Sequence, residues 1–76
     1  MSYMKEKSWN STAKNMLRAE LKRHGIGYRD LAIRLQAIGV DESESTIASK
    51  ISRGAFSFAF TLQCLRAIGL KELRID

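Results

Sequence analysis

The sequence predicts an all-α fold, a compact bundle of four to five short helices, and three observations predict it. Apolar residues recur at spacings of three and four along most of the chain, which lines one face of a 3.6-residue helix. Glycines at positions 25, 39, 54 and 69 close these runs, the place where a helix commonly stops. Proline is absent and no segment sustains a two-residue alternation, so nothing reads as a strand.

Taken in order, residues 1–8 are polar and carry no core pattern, so a mobile arm is expected there with Lys5 and Lys7 exposed, leaving residues 9–76 as a single domain. The first helix is expected to begin between Trp9 and Ser11, with Asn10, Ser11 or Thr12 as its cap. Ala13, Met16, Leu17 and Leu21 form its apolar stripe, Lys22, Arg23 and His24 complement the dipole of its last turn, and Gly25 ends it. A second helix follows over 28–38, with Leu31, Ala32, Leu35 and Ile38 on one face and Gly39 as its stop. Asp41 and Ser43 both suit the cap of a third helix, whose N-terminus welcomes the carboxylates Asp41, Glu42 and Glu44. That helix carries Ile47, Ala48 and Ile51 and stops at Gly54. The fourth starts at Ser57 and carries Ala59, Phe60, Leu62, Cys64, Leu65 and Ile68 up to Gly69, and Leu70, Leu73 and Ile75 form a tail, turned or extended, that closes over the core.

Composition narrows the function. At 76 residues, 45% hydrophobic and 28% charged, the chain is long enough for one small core and no second domain. A lone cysteine, Cys64, and a lone histidine, His24, provide neither an internal disulfide nor a set of metal ligands. Cys64 sits among Leu62 and Leu65 and reads as a small buried hydrophobe, since a catalytic thiol needs an oriented base. Glu20 and Asp30 lie on different helices with no motif around them, and there is no phosphate-binding glycine loop. No enzyme, cofactor or small-molecule substrate is therefore expected. Apolar runs are far shorter than the ~20 residues of a membrane span and no signal peptide is legible, so a cytoplasmic location is expected. Thirteen Lys and Arg against eight Asp and Glu give a net charge of +5, which favours polyanionic partners.

The second and third helices carry the functional signal. A helix-turn-helix holds its second helix in the major groove of DNA, so its inner face must be apolar and its outer face polar. Ala32 is small enough for close approach, Leu31 and Leu35 pack beside it, and Ile47 and Ile51 lie one turn apart facing inward. Ser45, Thr46, Ser49, Lys50 and Arg53 then face outward, the serines and threonine as phosphate or base partners or simply as caps, Lys50 and Arg53 as phosphate or guanine contacts. Arg29, opening the second helix, stands where a phosphate anchor would, or is ordinary surface charge. Phe56, Phe58 and Phe60 read as core rather than as a base-stacking platform; Phe56, Phe58 or Trp9, left exposed, would mark a dimer surface.

The runs from Tyr28 to Leu35 and from Ser45 to Gly54, followed by Leu65-Arg66-Ala67-Ile68-Gly69-Leu70, resemble the lambda-repressor/Cro-like (XRE-type) helix-turn-helix family over about residues 16–70. The chain also resembles small bacterial proteins of unknown function through its Ala19–Val40, Lys50–Ser57 and Leu62–Gly69 blocks. The resemblance to the wider family implies sequence-specific binding of double-stranded DNA, often as a homodimer, by a small bacterial or phage transcriptional regulator. One departure stands out: between Leu35 and Ile51 the chain is about six residues longer than the compact pattern, and the added turn holds Asp41, Glu42 and Glu44. Carboxylates beside phosphates oppose binding, so the cluster points away from DNA, meets a protein partner or marks a fold without DNA binding. The alternative function is thus a protein-interaction module, antitoxin-like or binding a phage or host partner.

Overall fold

The computed structural model describes the backbone of residues 5–72 and the side chains of residues 9–72. Among these residues the only regular elements are the helices α1 (Lys5–Arg23), α2 (Tyr28–Ala37), α3 (Glu44–Arg53) and α4 (Phe58–Ala67), with no strand. Residues 1–4 of the expected arm, the side chains of Lys5 and Lys7, and Leu73 and Ile75 of the expected tail lie outside the described residues.

The first helix starts at Lys5, earlier than the expected 9–11, so residues 5–8 of the expected arm are helical and Asn10, Ser11 and Thr12 are interior residues rather than caps. The physical reason is that a helix needs no apolar stripe to propagate. Lys and Glu are good helix formers, and neither glycine nor proline interrupts residues 5–24. The later starts follow their caps. Ser43 accepts the Thr46 N–H at 3.1 Å and Ser57 accepts the Phe60 N–H at 3.0 Å, each satisfying a donor that the first turn leaves free.

α1, α2 and α4 end in one pattern. The glycine N–H reaches back three residues and the next N–H reaches back five: Gly25 to Lys22 and Ile26 to Leu21, Gly39 to Gln36 and Val40 to Leu35, Gly69 to Arg66 and Leu70 to Leu65. These bonds satisfy carbonyls that have no helical partner, and they turn the following apolar residue inward. Ile26 is buried, and Val40 and Leu70 pack against the core. At Gly54 a second constraint is added. Its φ is +69°, and a Cβ there would lie 2.5 Å from the carbonyl oxygen of Asn10, so the end of α3 presses directly on the backbone of α1.

The core is drawn from every helix: Leu17 and Leu21, Leu31 and Leu35, Ile47 and Ile51, Phe60, Cys64 and Leu65, closed by Ile26 and Ile68 from the turns. α3 packs on α1 and on α2, and α2 also packs on α4. The helical stripes differ from expectation at their edges. Ile38 caps the end of α2 and is exposed, as are Ala59 and Leu62 on α4, while Ala13 and Met16 are half-buried. Each lies beyond the arc that a neighbouring helix covers. Among the described residues no helix is long and apolar enough to cross a membrane.

Candidate functional site

α3 is divided sharply between an inner and an outer face. Ile47 and Ile51 are fully buried. Ser49 lies two residues from each, which at ~100° per residue places it on the opposite side of the helix. Around Ser49 the exposed positions are Ser45, Thr46, Ser52 and Arg53. The outer face is thus a row of short hydroxyl side chains with one arginine at its C-terminal end. Ser52 was not among the residues singled out from the pattern, although its spacing from Ser49 and Ser45, three and seven residues, places it on their face.

The hydroxyls are not equally free. Ser43 donates to Thr46 Oγ1 at 2.8 Å and lies 3.3 Å from Ser45 Oγ, so the first two outer residues share the cap network. Neither side chain accepts a backbone N–H of the first turn, a role that Ser43 fills, so the reading of Ser45 and Thr46 as caps does not hold and both are exposed hydroxyls beside the cap. Arg53 makes no ion pair among the described residues, and neither does Arg29, exposed in the first turn of α2.

Lys50 is placed elsewhere. Its Nζ is 2.6 Å from Glu42 Oε2 and 4.9 Å from the centre of the Phe60 ring, with its side chain 40% exposed and that of Glu42 18%. The ammonium is held between a carboxylate and an aromatic face, so it borders the outer surface of α3 rather than standing on it. This pair also settles part of the acidic turn. Glu42 folds back to neutralise Lys50, and Glu44, seven residues ahead of Ile51, projects from the inner side of the helix, about 140° round from Ser49. Asp41 is exposed in the connection itself. The carboxylates of Glu42 and Glu44 therefore do not sit among the outer hydroxyls.

Behind Lys50 lies Cys64, fully buried. Burial pushes its thiol up to about 12, with Glu42 adding to the rise and Lys50 opposing it. A thiol held so firmly protonated is a poor nucleophile. Among the described residues no group of three or more Cys, His, Asp and Glu could hold a metal ion.

The three phenylalanines separate by role. Phe60 is buried, Phe56 packs against it with ring centres 5.7 Å apart, and Phe58 is exposed. With Trp9, Ala13 and Met16 of α1, Phe56 and Phe58 line a groove of about 210 Å³ on the side of the molecule where α1 and α4 meet. The sequence pattern marked these aromatics but did not show that two helices leave a channel between them.

A family model described as a domain of unknown function, DUF6471, matches residues 9–73. The chain belongs to this family. The match takes in the outer face of α3, the acidic turn and the α1–α4 groove of this DUF6471 domain together. No curated protein and no solved structure matches the chain.

Proposed function

We propose that this DUF6471 chain is a sequence-specific DNA-binding protein, a small transcriptional regulator of the cytoplasm that presents α3 to the major groove of duplex DNA. The observation that carries the reading is the outer face of α3. Short hydroxyls at 45, 46, 49 and 52 permit close approach to a groove floor and edge, and Arg53 provides a fork able to bond both acceptors of a guanine. Two of the three carboxylates of the wider turn do not oppose this, because Glu42 is neutralised by Lys50 and Glu44 leaves from the other side of the helix, while Asp41 stays exposed in the connection. Arg29 at the start of α2 is the phosphate anchor, and the net charge of +5 supplies attraction independent of sequence. The likeness of the 28–35 and 45–54 runs to lambda-repressor/Cro-like proteins supports the same assignment. The protein acts by binding rather than catalysis, its thiol being sealed in the core.

The test is a gel shift and an anisotropy titration with the chain's own upstream region against random duplex at two salt concentrations. Specific binding should exceed random binding, and Arg53→Ala should weaken the specific complex by roughly 10- to 100-fold, the value of a bidentate base contact. Equal weak binding to both duplexes, untouched by Arg53→Ala, would transfer the reading to a protein-interaction module.

A further inference from the structure

α1 has two unlike sides. At ~100° per residue, Lys14, Arg18 and Lys22 turn to one side of the buried Leu17 and Leu21, while Ala13, Met16 and Glu20 turn to the other, where the apolar groove lies. The basic side reaches both ends of the α2–α3 pair. Gly54, which follows Arg53, lies against Asn10 and Lys14 of α1, where a Cβ would come within 2.5 Å of the Asn10 carbonyl oxygen and 3.4 Å of the Lys14 Cβ. One turn further on, Arg18 Nε donates to the Tyr28 hydroxyl at 3.4 Å, and Arg18 and Lys22 border a shallow depression with Gly27 and Tyr28 at the start of α2. A line of cations therefore runs from Arg53 across Lys14, Arg18 and Lys22 to Arg29. None of these makes an ion pair among the described residues, whereas Arg23, Arg34 and Lys50, which lie off the line, each hold a carboxylate.

We propose that the basic side of α1 is a second contact with DNA, outside the α2–α3 pair, in which Lys14, Arg18 and Lys22 take phosphates of the strand bordering the groove that α3 enters. Three features select a phosphate backbone as the occupant. The cations stand about 6 Å apart along the helix, close to the step between successive phosphates of one strand. Carboxylates are kept away: Glu20, Asp30 and Glu42 are paired, Asp41 and Glu44 stand before and at the far end of α3, and Glu72 lies beside α4. The strip carries charge without apolar surface, since Trp9 and Phe58 are exposed on the groove side of α1, and contacts that position a protein on a duplex are of this charged kind. The strip deepens the regulator reading and rests on it for the duplex as partner, though not for recognition of sequence.

The experiment is an anisotropy titration of the full chain on random duplex and on its own upstream region, at four or five salt concentrations, with two charge-matched double variants. Arg18→Gln with Lys22→Gln removes two charges from the strip, and Arg66→Gln with Lys71→Gln removes two beside α4. All four side chains are exposed, and glutamine is a good helix former, so native helical content is expected in both. The slope of log affinity against log salt should become shallower by up to about two units in the strip variant and change little in the other, on either duplex. Adding Lys14→Gln to the strip variant should remove up to about one unit more. Equal slopes in the two double variants overturn the proposal and would make an acidic protein the partner of this face. Specific binding whose slope ignores Arg18 and Lys22 removes the strip alone. Equal affinity of the wild type for both duplexes, with the difference in slope preserved, removes the reading of sequence and upholds the strip.

Discussion

At the scale of single residues, Gly54 and Cys64 carry the clearest consequences. Gly54→Ala must accept a left-handed backbone and also displace the Asn10 carbonyl, so a loss of roughly 2–4 kcal/mol is expected in denaturant unfolding. Gly25→Ala shares the positive φ but meets nothing within 4 Å, and should lose only about 1 kcal/mol. Cys64 gives a pH dependence whose sign is fixed by burial. Its ordinary value of 9.0 in the unfolded chain is raised to about 12 in the fold, so the thiol's contribution is complete below pH 9 and is lost as pH climbs from 9 towards 12. Across that window wild type should lose up to about 1.4 kcal/mol per pH unit more than Cys64→Ala, a comparison that isolates the thiol. The same thiol should resist alkylation in the native protein and react on unfolding. The hydrophobic character of Cys64 was legible in its neighbours Leu62 and Leu65. Its proximity to Glu42 and Lys50 was not, because an ion pair eight residues apart depends on the path of the intervening chain.

At the scale of elements, the helix ends were the most legible feature, since caps and glycine stops act through bonds made within a few residues. Ser43 and Ser57 start α3 and α4 where their side chains reach back to a free N–H, and three glycines end helices through the same pair of bonds. Ser43→Ala and Ser57→Ala should each lower the thermal midpoint by an amount equivalent to about 1 kcal/mol. Ser43→Ala should also loosen Thr46, whose hydroxyl accepts from Ser43, and so weaken duplex binding, whereas Ser57→Ala should leave affinity unchanged once the protein is folded. The start of α1 was not legible, because residues 5–8 hold no apolar position to betray their periodicity. Periodicity also marked Leu62 and Ile38 as core. An apolar stripe tells which side of a helix avoids water, yet the width that is covered depends on the neighbour, and no element packs over these two.

At the scale of the whole molecule, the all-α class and the pairing of α2 with α3 followed from pattern, while the disposition of charge over the surface required the fold. The sequence places two carboxylates ahead of α3 and a third at its first residue, and only the folded path shows Glu42 withdrawn against Lys50 and Glu44 on the inner side. This arrangement makes Glu42 a restraint on a cation beside the proposed reading face. Glu42→Gln releases the ammonium of Lys50 and adds one positive charge to the molecule. Because the pair is partly exposed, the stability lost should be about 1 kcal/mol or less. Duplex affinity should instead rise several-fold at low salt, and the plot of log affinity against log salt should steepen by up to about one unit if the freed Lys50 takes a phosphate. Lys50→Ala in the wild-type background should change that slope little, since the ammonium there is already neutralised. A slope unmoved by Glu42→Gln would mean that this edge of α3 faces away from the phosphates, and the measurement needs only an anisotropy titration of the two variants at four or five salt concentrations.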